Sequence, residues 1–450
     1  MDLWGESVNS TGWLWLLVIL ILGGAGTLAF FRAEGEAPGA RGPEALVVGR
    51  SGTSIPLSFS DEGSGLRALR VTLSHAGGEI VLVDDEFPGN MASGGVRSDY
   101  DVEVLLPPDR LEEVEGQAFL RIAVRDWSWR NNETQLDVPL TVDLVAPRIE
   151  IATGLSYAKQ GGSGAVAYRL SEPVLRHGVE VGEHFFQGFA RPGGESGDQV
   201  ALFAIPAESR ADAPVSVVAE DQAGNRSKAG WPLVVKPRAM PEANVTLSES
   251  FLERVLPRFA SDTSAGASPA KAFDAVNTRI RAKNEARIRE ILADRLPSPR
   301  FDGALEQLRN SKVTSRFGER RAYFLDGRKI SKAIHYGYDL ASTAAAPITA
   351  ANAGRVAFAN DLGIYGNCVL LDHGLGLSTL YGHLSRLDVK AGDFVENGQR
   401  LGLSGDTGLA GGDHLHFSVL VGDSYVDPIE WWDASWVRSH VDVALRPRER

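Results

Sequence analysis

The stretch from His335 to Phe417 decides how this chain is read: H-Y-G-Y-D at 335–339, G-I-Y-G-N at 363–367, L-Y-G-H at 380–383 and H-L-H-F at 414–417. Five of the nine histidines fall inside it, namely His335, His373, His383, His414 and His416. The chain has one cysteine, Cys368, so a metal site in this stretch has to be built from nitrogen and oxygen ligands. Around these segments run G-R-V-A-F-A, C-V-L-L-D, L-S-T-L-Y and L-H-F-S-V-L-V, short branched and aromatic runs set off by glycines. Such runs predict many short strands and a compact all-β domain over 301–435.

His414 and His416 are two apart, and on a strand residues two apart share a face. His335 and Asp339 are four apart and share a face in extended structure too, with Gly337 between them leaving that face uncrowded. Together the two pairs offer a carboxylate and up to three imidazoles, a donor set that suits Zn2+. An open fourth position would hold a water acidic enough to attack a carbonyl at neutral pH. Three protein ligands need His335, Asp339 and one of His414 and His416, and spacing alone leaves open which. The other, with His383, is then free for proton transfer or for polarising a carbonyl.

These motifs, with S-R-F-G at 315–318, D-H-G-L-G-L-S-T-L-Y-G-H at 372–383, V-K-A-G-D-F-V-E-N-G-Q at 389–399 and S-G-D-T-G at 404–408, resemble the lysostaphin/LytM-type zinc metallopeptidases over about residues 310–432. Those enzymes cut peptide bonds in bacterial peptidoglycan. The resemblance implies that His335, Asp339 and His416 are the zinc ligands and that His383 and His414 are catalytic histidines that do not bind the metal. It also implies peptidoglycan as substrate. Some relatives lack ligands and only activate other wall hydrolases, so a non-hydrolytic regulatory module is the alternative. The complete ligand set here argues against it. His373 is expected to be structural, Tyr381 to pack within its strand, and His75, His177, His184 and His440 to be exposed.

Working outward, residues 12–31 carry no charge, and about 20 apolar residues suffice to cross a bilayer as a helix. The start M-D-L-W-G-E-S lacks the basic residues of a signal peptide, so residues 1–32 are expected to be an uncleaved, single-pass anchor in the cytoplasmic membrane. Arg32 and Arg41 run against the positive-inside tendency. The peptidoglycan substrate nevertheless places the bulk of the chain in the periplasm. Residues 33–44, small, polar and proline-bearing, read as a stalk. Residues 45–145 and 146–237 alternate with β period, and each ends in a strand, an aspartate (Asp126, Asp221), a polar turn and a returning strand. Two immunoglobulin-like β-sandwiches are expected, acting as spacers, as a grip on the cell wall or as surfaces for cell-envelope protein partners. If they carried the function, the chain would be an adhesion or scaffold protein. Over 238–300 the residues Phe273, Val276, Ile280, Ile288 and Leu292 recur at helical spacing and predict a helical connector. Residues 436–450 read as a frayed polar tail.

Length and composition set the outer bounds. A chain of 450 residues exceeds one core, and 43% hydrophobic with 23% charged residues is ordinary for globular domains. The net charge of −12 excludes the basic footprint that nucleic-acid binding requires.

Overall fold

The structure is a computed structural model that describes residues 10–210, 212–264 and 266–446. The first element, Ser10–Arg32, is the one helix among the described residues long and apolar enough to cross a membrane. Its 23 residues rise about 34 Å, against a hydrocarbon core of about 30 Å. By contacts the chain divides into two compact units, residues 1–146 with 221–225, and residues 147–220 with 226–450.

In the first unit, Gly39–Arg41, Thr53–Ser60 and Asp99–Leu106 form a three-stranded sheet. Leu46–Val48, Glu133–Val142, Gly116–Asp126, Leu66–His75 and Gly78–Glu86 form a five-stranded one. Period-two alternation aims Ile55, Leu57 and Phe59 from one sheet, and Val71, Leu120, Ile122 and Leu140 from the other, into one shared core. Asp126 is buried and caps the turn that follows it: Oδ1 accepts from the backbone N–H groups of Ser128 and Asn132, and Oδ2 from Asn132 Nδ2. Asp221 does the same in its own turn, accepting from the backbone N–H and side-chain amide of Asn225. The repeat visible in the sequence is thus a repeated aspartate-capped turn.

In the second unit, two four-stranded sheets, Ile149–Ile151/Ser163–Leu170/Asp198–Ala204/Phe189–Ala190 and His184–Gln187/Arg176–Val181/Val215–Glu220/Arg226–Ala229, precede the helical and C-terminal parts. The C-terminal part is built on one large sheet in the order Lys312–Ser315, Tyr338–Ala341, Leu415–Val421, Leu377–Leu384, Asn367–Gly374, Gly354–Asp361, Phe394–Val395. Its central strands Leu377–Leu384 and Leu415–Val421 are buried along their whole length, covered on both faces. The helical segment Pro269–Ala275, Val276–Ile280 (a π turn) and Arg281–Ile291 buries Phe273, Val276, Ile280 and Ile288, as the spacing predicts. Beyond it, the backbone N–H of Leu296 donates to Asp372 and that of Arg300 to the His373 carbonyl, fastening the connector to the sheet.

Four expectations need correction. The stalk contains a strand, since Gly39–Arg41 pairs antiparallel with Ser58–Ser60. The connector is not helical from its start: Glu242–Thr246 joins Glu319–Leu325 as a parallel strand, an addition that needs a long-range partner no local pattern reveals. The tail is docked as far as residue 446, because Val437 and Val441 are fully buried in helical turns at Ala434–Val437 and Arg438–Asp442; residues 447–450 lie outside the described residues. With these helices and Pro428–Trp432 the C-terminal domain is β-rich rather than all-β, and the fold as a whole is mixed β/α.

Candidate metal centre and its cleft

The expected pairing of His335 with Asp339 is realised by a different route. They do not share one extended strand. His335 closes the strand Arg328–His335 of a small sheet, and Asp339 lies in Tyr338–Ala341 of the large one. The chain turns between them at Gly337, where a Cβ would lie 2.6 Å from the Phe417 carbonyl oxygen and 2.7 Å from His416 Cε1. Only a residue without a side chain lets the turn pass over the strand carrying His416. That strand pairs with the Asp339 strand so that Asp339 and His416 are direct partners, and Gly382 is the partner of His416 on the other side.

The result is a triangle of donor atoms. His335 Nε2, Asp339 Oδ1 and His416 Nδ1 are each 3.0 Å from the other two. His335 Nδ1 lies 3.0 Å from the Arg316 carbonyl, which can only accept. The proton is therefore on Nδ1, and Nε2 presents a lone pair. Ser418 Oγ, 3.0 Å from His416 Nε2, can accept that N–H, the tautomer in which Nδ1 is a lone pair in turn. Two imidazole lone pairs and a carboxylate oxygen thus converge, an arrangement a cation relieves. A tetrahedron with bonds of about 2.0–2.1 Å has edges of about 3.3–3.4 Å, close to the spacing found, so the three residues fit a zinc ion.

Burial sets the charge states. Burial, only partly offset by Asp339, pulls the His416 imidazolium down to about 4. Burial opposes ionisation of Asp339, but the charge and hydrogen bonds of His335, with those of His414 and His416, hold its carboxyl well below the usual range. Arg321, which sequence reading missed, donates to Asp339 Oδ2 at 3.1 Å and to Glu319 Oε2 at 3.2 Å. Ser315, inside the S-R-F-G motif, bonds both Arg321 and Glu319. In G-E-R-R-A-Y nothing local distinguishes Arg321 from a solvated arginine.

His383 and His414 flank the triangle. Their rings are 4.8 Å apart, and His414 Nε2 is 3.5 Å from Asp339 Oδ1. Each donates Nδ1–H to a carbonyl, His383 to Thr407 at 2.8 Å and His414 to Gly412 at 2.7 Å; this leaves His383 Nε2 as the free base, whereas His414 Nε2 faces the Asp339 carboxylate, which favours a proton there. Burial, then the neighbouring His414 and His416, hold the His383 imidazolium well below its ordinary value. At His414 burial is outweighed by the hydrogen bond and charge of Asp339, and the shift is upward. His383 sits at φ 64°, a left-handed conformation rare for a residue with a side chain and held here by the surrounding sheet.

The remaining residues fall outside the chemistry. His373 is fully buried between the Ala353 carbonyl, at 2.7 Å, and Thr379 Oγ1, at 2.8 Å. Tyr381 is buried with its hydroxyl accepting from the Ala351 N–H. Cys368 is a core residue. His75, His177 and His440 depart from expectation: each is partly buried, His177 2.7 Å from the Tyr168 hydroxyl and His440 stacked on Trp436, and of the four only His184 is exposed.

Residues 333–428 match the model of Peptidase family M23. Peptidoglycan DD-endopeptidase ShyB of Vibrio cholerae is 34% identical over 119 residues, 26% of this chain and 27% of that protein. DD-carboxypeptidase/endopeptidase Mpg of Neisseria meningitidis is 33% identical over 125 residues, 28% of each chain. The matched part of the chain therefore spans about a quarter of the length of these curated relatives. Among solved structures, the catalytic domain of lysostaphin from Staphylococcus simulans is 30% identical, covering 29% of this chain and 98% of that chain with a TM-score of 0.25. His335, Asp339, His383, His414 and His416 all lie inside the matched residues, whereas Arg281, Ser315 and Arg321 lie outside.

Proposed function

We propose that this chain is a membrane-anchored zinc metalloendopeptidase that hydrolyses peptide bonds of bacterial peptidoglycan. One observation carries the reading: three donor atoms 3.0 Å apart, on two histidines and an aspartate, with two further imidazoles beside them in one cleft. The match to Peptidase family M23 and to relatives named as peptidoglycan endopeptidases supports it. His335, Asp339 and His416 hold the ion, and zinc bound there supplies Lewis-acid polarisation and an acidified water. His383 and His414 present Nε2 toward the cleft, take up the proton of the attacking water and return one to the leaving amine. Arg321 and Ser418 orient Asp339 and His416.

The helix Ser10–Arg32 anchors the chain in the cytoplasmic membrane with the catalytic domain on the periplasmic side. The two-sheet regions at 45–145 and 146–237 are immunoglobulin-like modules that space the catalytic domain from the membrane and offer surfaces to other envelope proteins. Mass analysis of muropeptides after incubation of peptidoglycan with the detergent-solubilised chain tests the reading. New amino termini are expected, and they should vanish with a chelator and return with zinc. An intact digest profile in the presence of zinc would refute it.

A further inference from the structure

The cleft at the metal centre, about 340 Å³, is not closed by the family-matched residues alone. One wall comes from the connector, through Leu247, Phe251, Phe273 and Arg281. Arg281 is the charged member of that wall. Its Nε donates to the Asn277 carbonyl at 3.1 Å and its Nη2 to Asn277 Oδ1 at 2.9 Å. Asn277 is itself buried, in the π turn Val276–Ile280, and donates to Ser331 Oγ and the Lys332 carbonyl. Arg281 is therefore held at a fixed place, but by neutral acceptors. Among the described residues it forms no ion pair with a carboxylate within 4.0 Å, and only its Nε and Nη2 donate hydrogen bonds to them. Glu285, one turn on, is engaged by the hydroxyls of Tyr365 and Tyr425. The other arginine in the cleft, Arg321, is already committed to Glu319 and Asp339.

A guanidinium kept rigid, half-buried and with no carboxylate in ion-pair reach, beside a site that takes peptides, is suited to a carboxylate, whose two oxygens match its planar fork. We propose that Arg281 binds a carboxylate of the peptide substrate, so that the connector forms part of the substrate site and selects acidic over amidated peptides. This inference rests on the hydrolase reading above. It adds a specificity-determining residue outside the segment that carries the chemistry.

The test uses the full chain in detergent, loaded with zinc, and two synthetic cross-linked peptides that differ only in bearing free or amidated carboxylates. The wild type should favour the free acid in kcat/KM, mainly through KM, by roughly ten- to a hundredfold, the range of one hydrogen-bonded charge pair. Arg281→Gln should abolish that preference with zinc content and melting temperature unchanged, and Arg281→Lys should restore part of it. Equal handling of both peptides by the wild type, a preference that survives in Arg281→Gln, or faster cleavage of both peptides by the variant would overturn the proposal. Calorimetric binding of the same two peptides gives a readout independent of turnover. If neither peptide nor peptidoglycan is cleaved, the hydrolase reading fails, while the binding preference still decides the role of Arg281.

Discussion

Gly337→Ala tests the geometry of the centre through a single methyl group. The new Cβ would sit 2.6 Å from the Phe417 carbonyl oxygen, 2.7 Å from His416 Cε1 and 2.7 Å from Ser418 Oγ. Ordinary contacts begin near 3.4 Å, so something must give by several tenths of an ångström at each. The Phe417 carbonyl belongs to a central strand flanked by Tyr338 and Tyr381 and cannot yield cheaply. The atoms that move are the His416 ring and the Ser418 hydroxyl that orients it. A metal ligand tolerates only about ±0.2 Å, and perturbing the groups that orient a ligand costs about 10- to 100-fold in metal affinity. Overpacking adds about 1–3 kcal/mol of instability. We expect zinc affinity, measured by competition with a chromogenic chelator, to fall at least tenfold, with kcat/KM falling alongside. Gly230→Ala, exposed and away from the centre, is the control, since a Cβ there meets nothing within 4 Å. If Gly337→Ala binds zinc and turns over substrate like the wild type, the claim that this turn sets the His416 ring is wrong.

The other predictions concern roles and linkage. Asp339→Ala should abolish zinc binding, whereas His383→Ala should keep zinc, measured by metal analysis, and lose turnover by about 10²- to 10⁴-fold, the range of general acid–base catalysis. Glu430, 5% exposed and accepting from the Ser163 N–H at 3.0 Å, has its carboxyl pushed up to about 7 by burial. Because the folded state holds that proton more tightly than the unfolded one, its stabilising contribution is complete below the ordinary carboxylate value and is lost as pH rises through about 7. Glu430→Gln, whose amide oxygen can still accept from Ser163, should flatten the pH dependence of stability between about pH 4.5 and 7, an effect on the order of 3 kcal/mol read from denaturant melts. Removal of zinc by a chelator should lower the melting temperature of the C-terminal unit reversibly, since a ligand bound only to the folded state stabilises it by mass action.

Part of the centre was legible in the H-x-H spacing, whereas His335 and Asp339 meet through a turn between two sheets and not through the shared strand their offset predicts. H-x-H lies at the start of a buried strand, and register then brings Asp339 opposite His416. The helical connector was legible from periodicity, which its buried Phe273, Val276, Ile280 and Ile288 obey. What escaped was long-range. Residues 242–246 pair with 320–324, across more than seventy intervening positions. The docked tail is held by Val437 and Val441 in a segment whose polar residues dominate its composition. Arg321 gained its place through Asp339 on another strand, and Arg281, held locally by Asn277, faces the metal centre only because the fold brings that cleft beside it.

Metal analysis of the purified full chain, dialysed against zinc and compared with Asp339→Ala, bears most directly on the centre. About one zinc per chain in the wild type and almost none in the variant is the expected result for a three-ligand site. Equal zinc in the two proteins would mean that the ion, if any, is held elsewhere, and the chemistry assigned to this cleft would fall with it.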